Sequence, residues 1–221
     1  MELPTEILCE IAATDADAWC AMLAVPPFAR WTITSAGRAA ARRRFRTFRI
    51  DAAGSRTWLM CGRLHGLDDE PSVVTDDGEQ YWHRRGRLHR DGDRPAVVLA
   101  DGGRSWFHDG RAHRLDGPAI ISADGTKRWY RHGRLHRDDG PAVEYWGGEC
   151  MWYRNGLQHR IGGPAHVLPD GAEWWYQAGQ LHRDDGPAVT IEGSRRWYCH
   201  GRRHRDDGPA AAPRDGENRQ P

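Results

Sequence analysis

Trp129-Tyr130-Arg131-His132-Gly133-Arg134-Leu135-His136-Arg137-Asp138-Asp139-Gly140-Pro141-Ala142 decides the fold, because versions of it occur seven times in 221 residues. Each copy has a Trp, a Gly four residues on, a His three beyond that, and then a form of Arg-Asp-Gly-Pro-Ala. The Trp residues are Trp58, Trp82, Trp106, Trp129, Trp152, Trp175 and Trp197. The matching His residues are His65, His89, His113, His136, His159, His182 and His204. Both series advance by 24, 24, 23, 23, 23 and 22 residues. A fixed period of this size marks a stacked repeat array, in which one unit cannot bury enough surface alone. Arrays present surfaces rather than pockets.

Each copy carries two turn signals. The first follows the Trp, as in Asp109-Gly110, His132-Gly133, Asn155-Gly156 and Ala178-Gly179. A residue-Gly pair between β-type runs predicts a tight hairpin, since Gly accepts positive φ at little cost. The second precedes the next Trp, as in Asp77-Gly78, Asp101-Gly102, Asp124-Gly125 and Asp170-Gly171. The pieces between them are too short for crossover helices. The reading is therefore a mainly β fold, an antiparallel meander with about two strands per repeat. Pro141 cannot donate to a ladder, so Gly140-Pro141 and its equivalents predict a kink or bulge. Pairs such as Trp129-Tyr130 and Trp152-Tyr153 predict two aromatic ladders, one per face. At ~4.8 Å between strands, seven repeats would extend roughly 70 Å.

The first ~50 residues lack the repeat. Leu3, Ile7, Leu8 and Ile11 fall at helical spacing, and Trp19, Met22, Leu23, Val25, Phe28 and Trp31 follow. The spacing predicts helices there, broken at Pro26-Pro27, with a further basic helix over Gly37 to Ile50. Its arginines read as a nucleic-acid or targeting patch, or as a solvated face joining two domains. The domain reading is a helical region over 1–50, the array over 51–210 and a polar, disordered tail over 211–221.

Composition narrows the function classes. Basic and acidic residues number 32 and 31, for a net charge of +1, so no overall field recruits nucleic acid or an anionic membrane. Five scattered cysteines and no signal peptide point to a reducing, cytoplasmic compartment. No phosphate loop, nucleophile elbow or paired-Cys motif is present, so no catalytic residue or cofactor is expected. Metal is not expected either: equivalent His side chains stand ~10 Å apart, and ligands to one ion must each lie about 2 Å from it. Each His is expected to pack over a Trp and bond to the turn. The Arg and Asp of each copy are expected to form exposed ion pairs of small energy.

The Trp, Gly, His and second-turn Gly pattern resembles the MORN repeat over about 150 residues. It differs in carrying His-Arg-Asp-Asp-Gly-Pro-Ala in place of a His-Gly-x-Gly core, and so is similar to the divergent MORN-like variant. The resemblance implies an elongated single-layer β-meander. In it Trp58, Trp82, Trp106, Trp129, Trp152, Trp175, Trp197, His136, Gly140 and Pro141 are scaffold positions. The N-terminus resembles an F-box, which implies that Leu3, Pro4, Ile7, Leu8, Leu23 and Val25 contact a Skp-type adaptor of a cullin ubiquitin ligase. An apolar helical cap closing the array is the other reading of those residues. An F-box ahead of MORN-like repeats is similar to proteins of large DNA viruses of amoebae, which implies action in a host cytoplasm. The expectation is a non-enzymatic interaction protein with an unknown substrate partner. The alternative is a structural or membrane-peripheral scaffold.

Overall fold

The computed structural model describes residues 46–60, 62–67, 69–204 and 211–212. Leu3, Pro4, Ile7, Leu8, Leu23 and Val25, and with them the expected N-terminal helices, lie outside the described residues. Every element among the described residues is a strand, and every pairing is antiparallel. The chain divides into two compact units, Met1–Leu88 and His89–Pro221.

In the second unit the ladder is a meander. The strands Val97–Val98, Arg104–Ser105, Ile120–Ile121, Lys127–Arg128, Val143–Glu144 and Cys150–Met151 each pair with the next. The order continues through His166–Val167, Glu173–Trp174, Val189–Ile191, Ser194–Arg196 and Ala211–Ala212. In the first unit Arg46–Ile50, Arg56–Met60, Val73–Val74 and Gln80–Tyr81 follow the same rule. Each full repeat thus gives two strands to the ladder, as the turn spacing predicts. It also adds a short hairpin arm, such as Tyr130–Arg131 against Arg134–Leu135.

The repeat Trp is where the chain changes partners. The Trp129 N–H donates to the Ala142 carbonyl of the ladder, and the Trp129 carbonyl accepts from the His136 N–H of the arm. Trp106, Trp152 and Trp175 are bonded in the same way. Each of these four Trp residues therefore separates two strands rather than lying inside one, whereas Trp58 lies within Arg56–Met60. This breaks the alternation on which two continuous aromatic ladders were expected: Trp106 is buried while Phe107 belongs to the arm.

Both turn signals do what their residues dictate. The arms close over His132-Gly133, Asn155-Gly156 and their equivalents with positive φ at both central residues, the geometry that matches strand twist. The ladder turns are three-residue loops, apart from the two-residue Glu192-Gly193 turn between Val189–Ile191 and Ser194–Arg196. The Gly125 N–H donates to the Ser122 carbonyl, the Ser122 N–H donates to the Thr126 carbonyl, and the Asp124 carboxylate accepts the Thr126 N–H. The core is a row of small residues beside the Trp backbone. Ala96, Ala119, Ala142, Ala165 and Ala188 are fully buried, with Val97, Val143 and Val189 next to them. In the first unit Ser72 holds the equivalent place, also fully buried.

Two expectations are corrected. The basic helix read over Gly37 to Ile50 is a strand over its described part, Arg46–Ile50. The Asp51 carboxylate explains this: it accepts the Ala53 and Ser55 N–H groups and closes a hairpin onto Arg56–Met60. Phe48 is half-exposed and meets Trp58 across that pair at 5.2 Å between ring centres. At the other end Ala211–Ala212, read as the start of a disordered tail, pairs with Ser194–Arg196. The free edge of that strand supplies the backbone partner.

Candidate functional site

The Asp-Gly-Pro stretch folds around an arginine. In the fourth repeat the guanidinium carbon of Arg137 lies 4.1 Å from the Trp129 ring centre. Nη1 donates to the Pro141 carbonyl at 3.2 Å and to Glu144 at 2.7 Å, and Nε donates to Asp139 at 3.2 Å. Gly140 forms the opposite wall: a Cβ there would stand 2.8 Å from the guanidinium carbon. Its glycine makes room for this close approach and is not set by positive φ, which belongs to Gly133. Arg114, Arg160 and Arg183 lie 3.9, 4.0 and 3.8 Å over Trp106, Trp152 and Trp175. Each also donates to the carbonyl of its Pro118, Pro164 or Pro187. A guanidinium over Trp is worth about 0.5–2 kcal/mol. In these four repeats the Arg takes the Trp face that was assigned to the His, and the kink is the bend that carries it there.

The histidine reaches the next arm. His136 Nδ1 accepts the Asn155 N–H at 3.1 Å, at the positive-φ residue of the following hairpin. His65, His89, His113, His159 and His182 clip Arg85, Asp109, His132, Ala178 and His200 in the same way. An accepting Nδ1 leaves the proton on Nε2. That proton is directed at an Asp two residues on: Asp91 at 2.9 Å, Asp138 at 3.1 Å and Asp184 at 3.3 Å. His136 in turn holds the Asp138 carboxyl below the usual carboxylate range. Arg114 does the same to Asp93 through two 2.6 Å contacts, and Arg183 to Asp185.

Two repeats break this rule in the second unit. Where others have Asp, the third has Leu115 and the fifth has Ile161, with 74% and 77% of their surface exposed. The consequence is visible at His159, whose buried Nε2 has no hydrogen-bond partner. A third departure is the ladder turn at Trp146-Gly147, where Trp146 is 82% exposed. Its ring lies against Gly125 of the preceding turn, 3.3 Å from where a Cβ would stand. These three exposed side chains are the candidate contact residues. No family model and no curated protein matches the chain.

Of the residues singled out from sequence, the structure gathers Trp129, Gly140 and Pro141 around Arg137, with His136 on the next turn. Trp82 and Trp106 are buried; Trp58, Trp129, Trp152, Trp175 and Trp197 are partly buried. Arg137 and its equivalents act as braces, and their mark in the sequence is an Arg eight residues after six of the seven Trp residues. Leu115 and Ile161 are marked in the sequence only as apolar residues at a position that is Asp in four of the seven copies, and Trp146 only as a large aromatic where other turns have Asp76, Ala100, Ala123 or Pro169.

Proposed function

We propose that this chain is a non-enzymatic protein-interaction module. In this reading MORN-like repeats present a surface to a protein partner in the cytoplasm. An F-box-like N-terminal segment links that partner to a Skp-type adaptor of a cullin ubiquitin ligase. The observation that carries the reading is the exchange of a structural Asp for exposed Leu115 and Ile161, which leaves His159 Nε2 without an acceptor. A scaffold that forgoes a hydrogen bond to display an apolar side chain follows the pattern of a binding surface. Leu115 and Ile161 occupy equivalent positions two repeats apart, a distance of roughly 20 Å from strand spacing. Trp146 supplies a large aromatic anchor of the kind that dominates protein interfaces.

Two measurements test this. Co-purification from the native cell with tagged wild type is expected to recover a protein that the Leu115→Asp/Ile161→Asp/Trp146→Ala variant loses while its circular dichroism is unchanged. Pull-down with a Skp-type adaptor is expected to succeed with wild type and fail after Leu8→Asp and Leu23→Asp; equal binding would sink the F-box half. Among the described residues no helix is long and apolar enough to cross a membrane. Flotation with anionic vesicles is expected to leave the protein at the bottom of the gradient, and recovery with the vesicles would favour the membrane-peripheral scaffold.

A further inference from the structure

Only two repeats carry His, Cys, Asp or Glu at both the second and the third position after the Trp: His108-Asp109 and Cys199-His200. The clip geometry brings each pair to the histidine of the preceding repeat. His89, His108 and Asp109 form one cluster, and His182, Cys199 and His200 form the other, each with ligand atoms within 4.8 Å of one another. The ~10 Å spacing that separates equivalent histidines does not apply, because these residues occupy different places in the repeat.

We propose that His89 Nδ1, His108 Nδ1 and the Asp109 carboxylate bind a divalent first-row cation of the Zn²⁺ type. His89 Nδ1 stands 3.3 Å from Asp109 Oδ1, and His108 Nδ1 stands 3.6 Å from Asp109 Oδ2. Those separations are close to the edge of a tetrahedron whose metal–ligand bonds are about 2 Å. The two imidazole planes are inclined at 58°, with centres 4.7 Å apart, so the rings do not stack face to face. Asp91 accepts from His89 Nε2 at 2.9 Å, which places the lone pair on Nδ1 and completes the carboxylate–histidine–metal order of tuned sites. Two carboxylates, Asp91 and Asp109, therefore flank one buried imidazole. Binding exchanges the Asp109 N–H bond to His89 Nδ1, 3.1 Å long, for a metal–nitrogen bond. His108 and Asp109 are exposed and leave a fourth position for water.

The second cluster lacks this geometry. The His182 and His200 rings are stacked, 4.3 Å apart and within 17° of parallel, so no ion can lie in both planes. It serves as the internal control.

The test is calorimetric titration of Zn²⁺ into full-length protein first stripped with a chelator. One ion per chain is expected, with affinity lowered at least tenfold in both His108→Ala and Asp109→Asn and unchanged in His200→Ala. Zn²⁺ is also expected to raise the melting temperature of wild type and not of His108→Ala. Asn tolerates the positive φ of Asp109, and His108 is an exposed arm residue, so neither variant threatens the fold. No saturable binding, equal affinity in wild type and His108→Ala, or a His200→Ala loss as large as that of His108→Ala would each overturn the assignment.

Discussion

Single side chains in this protein act through a neighbour that the repeat supplies, so their worth is readable from the copies that lack them. His159 Nε2 is buried without an acceptor, whereas His136 has Asp138. Ile161→Asp restores that acceptor and gives up little burial, since Ile161 is largely exposed. The variant is expected to be more stable by about 1 kcal/mol in urea unfolding. Gly140→Ala is expected to cost about 1–2 kcal/mol, because its Cβ pushes Arg137 off Trp129 and away from Pro141. The same measurement on Arg137→Ala/Gly140→Ala checks the mechanism: the glycine effect should vanish once the guanidinium is gone. His83 reports on pH. Burial lowers its pKa below 6.5, and its Nδ1 meets Ser72 Oγ at 2.8 Å. The unfolded chain then binds the proton more readily than the folded one. This contribution to stability is full above about pH 6.5 and is lost as pH falls toward the depressed folded value. His83→Gln is expected to shrink the drop in urea midpoint between about pH 7.5 and about pH 5.5.

Elements are held by turns, and turns were the part of the fold most legible in sequence. Positive φ leaves a mark as Gly, which is why His132-Gly133 and Asp124-Gly125 could be read as two distinct turns. The residue before the arm Gly also adopts positive φ, and it varies: Arg85, Asp109, His132, Asn155, Ala178 and His200. Ala178 is the poorest fit, because its Cβ crowds the carbonyl in the left-handed region and it has no polar group to bond locally. Ala178→Asn is expected to stabilise the protein by about 0.5–1 kcal/mol, read as a raised urea midpoint, while keeping the N–H that His159 accepts. What could not be read was the break at the Trp. Trp129-Tyr130 looks like two adjacent residues of one strand, and only the change of hydrogen-bond partner at Trp129 shows that one serves the ladder and the other the arm. Arg46–Ile50 was misread for a related reason. Two Arg, one Phe, one Thr and one Ile suit a helix face or a strand equally, and the Asp51 turn decides between them.

At the scale of the whole chain, period and antiparallel order were written in the Trp and Gly spacings, whereas the candidate surface was not. A repeat is recognised by what its copies share. Leu115, Ile161 and Trp146 stand out only once the structure shows which positions are scaffold and how exposed the substitutes are. The same logic makes the array testable as an array. Connections of one kind join each repeat to the next: Gly156 to Leu135, Asn155 to His136, Arg137 to Tyr153. Removing one whole period should therefore rejoin equivalent partners. Excision of residues 127–149 places Cys150–Met151 where Lys127–Arg128 paired with Ile120–Ile121, and brings Asn155 to His113 in place of His132. This variant is expected to keep its strand signal and to unfold cooperatively, with a urea m-value lower by roughly one part in seven. Excision of residues 127–138 removes half a period. It sets Asp139-Gly140 of the kink in the ladder places of Lys127–Arg128, leaves Ala142 without the Trp129 N–H, and is expected to abolish cooperative unfolding of the His89–Pro221 unit. If both deletions behaved alike, connections between successive repeats would not be what holds that unit together.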